Sequence, residues 1–193
     1  MPLLAKICLL GDGEVGKTSL MSRYLNRGFT TEYIPTLGSD FLSKQVTLDT
    51  AYGLKDLRFQ IWDLAGQPAF DQVRKYYYKG AAAAFLVFDL TTPTSLKHLN
   101  KWLEEFSKNI QLKKSSVIVL GNKMDLKDEI KVSSDTVLQY ISSNLVNKFT
   151  NVDNQIKYYQ TSAKTGENVE QAFSILGKRI IELHFFSKGL TEL

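Results

Sequence analysis

The stretch GDGEVGKTS, Gly11 to Ser19, decides the fold. It follows an apolar run, Leu3–Leu10, and matches the spacing G-x-x-x-x-G-K-[ST], with Gly11, Gly16, Lys17 and Thr18 in the fixed places. Glycines let the backbone curl, so that N–H groups across Asp12, Gly13, Glu14 and Val15 point inward at phosphate oxygens. A helix is expected to begin at once, through Ser19, and to add the positive end of its dipole. Lys17 would neutralise the β- and γ-phosphates, and the Thr18 hydroxyl would ligate Mg²⁺. The motif specifies a nucleoside triphosphate and leaves the base open.

Outward from this loop, apolar runs alternate with helical patterns. Leu3–Leu10, Ala82–Leu90 and Val117–Leu120 read as strands buried on both faces of a parallel sheet, and Ile156–Gln160 as a weaker last strand. Three sets of apolar residues recur at helical spacing: Leu96, Leu99, Leu103, Phe106 and Ile110; Val137, Leu138, Ile141 and Leu145; Phe173, Leu176, Ile180 and Leu183. Asp40–Asp49 and Asp56–Trp62 instead alternate with period two around a turn at Ala51–Lys55, a hairpin that places one strand antiparallel. The expected architecture is an α/β three-layer sandwich of the P-loop NTPase kind. It has a mixed six-stranded sheet (five parallel strands and one antiparallel edge strand) and about five helices. Ligands in such sheets sit beyond the carboxyl ends of the strands.

Composition excludes several classes. The 193 residues are 44% hydrophobic and 23% charged, ordinary globular values, and predict one domain. The net charge is 24 − 20 = +4, with basic residues scattered, so no nucleic-acid partner is expected. Cys8 is the one cysteine, lies in an apolar run and reads as a core residue. No apolar stretch reaches the roughly 18 residues of a membrane span, and no signal-peptide pattern precedes the glycine loop, so a cytoplasmic location is expected.

Two further motifs stand at predicted strand ends. GNKMD, Gly121 to Asp125, supplies an acceptor-only carboxylate at Asp125, matched to the two donors on one edge of guanine; adenine presents a bare acceptor there. Asn122 would tie this loop to the phosphate loop, and the Lys123 stem would cover one face of the base. TSAKTGEN, Thr161 to Asn168, would bring the Ala163 N–H to guanine O6 and Ser162 to brace Asp125.

GDGEVGKT, YIPTLGSDF, WDLAGQ, GNKMD and TSAK stand in the order and approximate spacing of the Ras superfamily of small GTPases. Within it the chain most resembles the Rab family, through YYYKGAAAAFLVFDLT, KWLEEF and TSAKTGENVEQAF, over residues 3 to 185. The resemblance implies residues 1–186 as one small-GTPase domain and 187–193 as a short flexible tail. It also implies GTP/GDP binding with Mg²⁺, GTP hydrolysis, and two switch segments at about Arg27–Asp40 and Ala65–Tyr78. Phe29 would pack edge-on against guanine, and Leu126 and Lys164 would complete the base contacts. Thr36 would reach Mg²⁺ and the γ-phosphate, Asp63 would hold Mg²⁺ mostly through water, the Gly66 N–H would meet the γ-phosphate, and Gln67 would orient the attacking water. Neither switch offers an obvious arginine for the γ-phosphate, and Arg74 reads as a surface helix residue. Hydrolysis is therefore expected to be slow unless a partner supplies one. Pro68 departs from the family pattern; it either restricts Gln67 or simply opens the following helix.

Strand parity puts Phe41 and Trp62 on the polar faces of their strands, unless a bulge turns them inward. With Tyr77 they match an aromatic triad that Rab-like proteins use for effector binding. Activating, exchange and effector proteins are the implied partners of a monomer. His98, His184, Glu104–Glu105 and Asp128–Glu129 read as surface groups. The ending HFFSKGLTEL has no cysteine and residue 2 is proline, so no stable direct lipid anchor is expected. A shortened chain, recruitment through a partner, and a prokaryotic or archaeal lineage remain as explanations. Two other functions stay in view: another P-loop enzyme, such as a nucleoside kinase or ATPase, and a nucleotide-holding module with negligible hydrolysis.

Overall fold

The computed structural model describes residues 1–27, 36, 38–66, 71–110, 115–146 and 156–187. Six strands, β1 (Leu3–Leu10), β2 (Ser39–Thr50), β3 (Gly53–Leu64), β4 (Ala81–Asp89), β5 (Ser116–Asn122) and β6 (Lys157–Gln160), form one sheet in the order β2-β3-β1-β4-β5-β6. β2 runs antiparallel to β3 at one edge, and every other pairing is parallel. The helices among the described residues include α1 (Lys17–Tyr24), α2 (Asp71–Tyr78), α3 (Pro93–Ser107), α4 (Ser134–Tyr140) and α5 (Val169–Phe186). The helix of α4 runs on through Ile141–Leu145 with the wider π geometry.

Side-chain alternation divides the core in two. Ala5, Ile7 and Leu9 of β1 enter one layer with Leu20 of α1 and Phe173 and Leu176 of α5. Cys8 and Leu10 enter the other, with Leu99, Trp102 and Phe106 of α3 and Val137 of α4. Burial on both faces is why β1, β4 and β5 read as mostly apolar runs. Burial also pushes the Cys8 thiol up to about 12, in keeping with an inert core residue. Among the described residues no helix is long and apolar enough to cross a membrane.

Two expectations need correction. The hairpin turn is confined to Ala51 and Tyr52: Thr50 pairs with Gly53, Asp49 with Leu54 and Leu48 with Lys55. Gly53 takes a left-handed φ of 79° immediately after the turn, so the glycine that reads as loop is the first residue of a strand. Leu138 is 53% exposed although it shares the helical spacing of Val137, Ile141 and Leu145, which are buried.

Candidate functional site

The phosphate loop joins β1 to α1 at the carboxyl edge of the sheet. Gly16 has a left-handed φ of 93°, and a Cβ there would run into the Asn122 amide. Lys17 is buried, and its Nζ donates to the carbonyls of Gly11 at 2.9 Å and Asp12 at 2.7 Å. Burial pushes its ammonium down to about 8, opposed by the charges of Asp63 and Asp12. Gly66 lies against the loop: a Cβ would come within 2.5 Å of the Asp12 carbonyl carbon and 2.6 Å of the Gly13 nitrogen. No side chain fits there, so a backbone N–H can approach anything the loop holds.

One corner gathers hydroxyls around a buried carboxylate. Thr18 Oγ1 donates to Asp63 Oδ2, lies 2.9 Å from Thr36 Oγ1, and Thr36 Oγ1 is 3.3 Å from the same carboxylate oxygen. Asp63 is fully buried, and its Oδ1 has no hydrogen-bond partner among the described residues. Burial raises its pKa, while the Thr18 hydrogen bond and the Lys17 charge oppose the shift. A buried carboxylate oxygen left unpaired is costly. Two hydroxyls and a carboxylate are hard oxygen donors, suited to Mg²⁺ whose remaining ligands are water and phosphate. The residues therefore fit the ion that the sequence implies.

The base end is cross-braced. Asn122 Nδ2 donates to the Val15 carbonyl of the phosphate loop at 2.9 Å. Its Oδ1 accepts from the Ala163 N–H at 3.2 Å and from Thr161 Oγ1 at 3.3 Å. Ser162 Oγ donates to Asp125 Oδ1 at 2.6 Å. The Ala163 N–H is thus shared with Asn122 rather than reserved for a ligand. Lys123 adopts a left-handed φ of 68°, and its Nζ pairs with Asp89 Oδ2 at 2.7 Å. Leu126 is half-buried and Lys164 exposed beside these groups. Phe29, Gln67 and Pro68 lie outside the described residues.

Two surface readings are overturned, at Arg74 and Glu105, while His98 keeps its exposed position and gains a partner. Arg74 is fully buried: Nε and Nη2 bond both Glu105 oxygens at 3.1 and 3.0 Å, Nη1 bonds the Ala65 carbonyl at 3.2 Å, and the guanidinium lies 4.4 Å from the Trp102 ring centroid. Glu105 is therefore a structural ion-pair partner, and it also accepts from Tyr78 Oη at 2.9 Å. His98 Nδ1 sits 2.6 Å from Asp12 Oδ2, while Trp102 Nε1 donates to Asp12 Oδ1 at 2.8 Å. Helix α3 thus holds both the glycine loop, at Asp12, and helix α2, at Arg74. Arg74→Met should lower stability by about 2–4 kcal/mol in urea unfolding, because it strands the Glu105 carboxylate; a loss below about 0.5 kcal/mol would contradict the buried pair.

Phe41 and Trp62 face each other across an unbroken β2–β3 register, with ring centroids 5.1 Å apart, and Tyr77 lies 5.4 Å from Trp62. Phe41 is 51% exposed on a sheet face that Lys6 also borders, 4.4 Å over the Trp62 ring. The register carries no bulge, yet Trp62 is half-buried and packs against the second core layer, and Phe41 alone of the pair is exposed.

A glycine loop between a buried strand and a helix, a lysine inside it, and a carboxylate-bearing loop two strands away define a P-loop nucleotide-binding protein. The Ras family model matches residues 6–182, so the chain belongs to the Ras family of small GTPases, enzymes that hydrolyse GTP, and is Rab-like within it. It is 40% identical to the Ras-related protein Rab7 of Drosophila melanogaster over 183 residues, 93% of this chain and 82% of that protein. It is 39% identical to Rab-7a of Paramecium octaurelia, over 91% of this chain and 80% of that protein. It is 35% identical to the Ypt/Rab-type GTPase ypt7 of Pyricularia oryzae, over 93% and 83% respectively.

Proposed function

We propose that the chain is a guanine-nucleotide switch that binds GTP or GDP with Mg²⁺, hydrolyses GTP slowly, and presents a partner surface only in the GTP state. The observation that carries this is the Asn122 side chain, which ties the phosphate loop to the base loop beside an Asp125 already oriented by Ser162. One cleft would then read phosphate at one end and guanine at the other.

Lys17 is held by two loop carbonyls and would turn its ammonium to the β- and γ-phosphates. Thr18, Thr36 and Asp63 would hold Mg²⁺, which would supply charge neutralisation at those phosphate oxygens. Gly66 would donate its N–H to the γ-phosphate, and Gln67 would orient the attacking water. Ala65 N–H donates to the Gly38 carbonyl at 2.9 Å, so the bases of the two switch segments are already joined. Loss of the γ-phosphate would release Thr36 and Gly66 together, an order-to-disorder switch over about Arg27–Asp40 and Ala65–Tyr78.

Arg74 is committed to Glu105 and Ala65. That supports slow intrinsic hydrolysis, with an activating protein supplying an arginine worth roughly 10³–10⁵ in rate. Residues 1–186 would act as one domain and as a monomer. Single-turnover hydrolysis by the purified protein should stay below about 10⁻¹ s⁻¹. A faster rate would remove the need for a partner, and bound GTP that never turns over would make the chain a nucleotide-holding module.

Phe41, Trp62 and Tyr77 would form the effector surface. Phe41→Ala should weaken a GTP-state partner by about 2 kcal/mol, roughly thirtyfold, and leave nucleotide affinity unchanged. Calorimetric titration of both nucleotide forms measures this, and an unfolded variant would place Phe41 in the core instead.

A further inference from the structure

Arg23, in the last turn of α1, reaches the outer side of the base loop. Its Nε donates to the Ala163 carbonyl at 2.8 Å and its Nη2 to the Lys164 carbonyl. Its stem packs on Gly166, where a Cβ would sit 3.4 Å from Arg23 Cδ. A planar fork fits two successive carbonyls in a way a point-charge ammonium does not.

The consequence follows from peptide geometry. In a trans peptide the C=O and N–H point in opposite directions. Drawing the Ala163 carbonyl outward to α1 therefore turns the Lys164 N–H to the opposite side. Drawing the Lys164 carbonyl outward does the same to the Thr165 N–H, which donates to Ser162 Oγ at 3.0 Å. Ser162 in turn donates to Asp125. Both peptide planes next to the proposed base site are thus set from behind by one guanidinium. The helix that carries it begins with Lys17 and Thr18, so six residues of α1, about 9 Å, join the phosphate end to the base end.

We propose that Arg23 is a positioning residue for guanine recognition: by clamping the Ala163 and Lys164 carbonyls it aims the loop donors that serve the 6-oxo edge of the base. This rests on the guanine-switch reading above. Arg23 touches neither base nor phosphate; it acts through the loop, and its removal should affect base discrimination more than phosphate binding.

The test uses the full chain and three diphosphates: GDP, inosine diphosphate, which lacks the 2-amino group, and 2,6-diaminopurine riboside diphosphate, which carries an amino group in place of the 6-oxygen. Arg23→Ala should release GDP about tenfold faster. It should narrow the preference for GDP over the 6-amino analogue by at least as much, and change the preference over inosine diphosphate less. Arg23→Lys, which keeps the charge and loses the fork, should fall between wild type and Arg23→Ala. It also carries the test if the alanine variant does not fold. A uniform affinity loss for all three ligands would mean a merely structural role and would overturn the proposal, as would an unchanged GDP release rate. A wild-type protein with no preference for GDP over ADP would overturn the guanine reading itself, and this proposal with it. A guanine-selective wild type with unaltered Arg23 variants would overturn this proposal alone.

Discussion

Asp125→Ala is expected to lower GDP affinity by about three powers of ten or more while leaving binding of the phosphate end intact. The carboxylate is held by Ser162 at 2.6 Å, so its remaining acceptors are preset for two donors on a base. A site built around such a hydrogen-bonding edge rejects ligands that leave it unpaired by roughly 10⁴–10⁵. The direction of the change is as informative as its size. Asp125→Asn replaces one acceptor with a donor, which repels the guanine 2-amino group and suits a carbonyl at that position. The variant should therefore prefer xanthosine diphosphate to GDP. Competition of GDP and of xanthosine diphosphate against a fluorescent nucleotide measures both effects. A variant that keeps wild-type selectivity would place base recognition elsewhere.

Lys17→Ala should cost about 10²–10⁴ in affinity for GDP and GTP alike, the worth of two charge-assisted hydrogen bonds in a buried site. The ammonium is buried and depressed to about 8, a cost that the fold accepts at this position. Carbonyls of Gly11 and Asp12 fix its direction, so Lys17→Arg should not restore binding: its planar fork does not fit a pocket walled by backbone. The fold should survive, because neither carbonyl depends on Lys17 for the sheet. Equilibrium binding with circular dichroism as the folding control checks this, and wild-type GDP affinity in the alanine variant would contradict it.

Local rules made much of this molecule legible. Glycine spacing at Gly11 and Gly16 located the phosphate loop, because few other residues permit its turns. Strand alternation put Trp62 and Asp63, one residue apart, on opposite faces of β3, a half-buried aromatic stacked on Phe41 and a fully buried carboxylate. Contacts between distant segments were not legible. Arg74 reads as a surface residue because its position on α2 does not reveal that Glu105 and Trp102 of α3 lie against it. His98 and Asp12 are 86 residues apart, and nothing in the helical spacing of α3 announces their contact. Arg23 is equally silent: an arginine in a last helical turn satisfies the dipole rule without naming the carbonyls it holds. The hairpin turn reads as longer than it is because Gly53 is both a loop residue by propensity and a strand residue by pairing.

A single cleft should bind guanine nucleotide and turn GTP over with Mg²⁺. The most direct test is to identify the nucleotide that copurifies with the protein, then follow bound GTP after adding Mg²⁺. GDP or GTP is expected in near-stoichiometric amount, with bound GTP converting slowly to GDP and phosphate. Copurified adenine nucleotide, or no nucleotide and no GDP affinity, would contradict it.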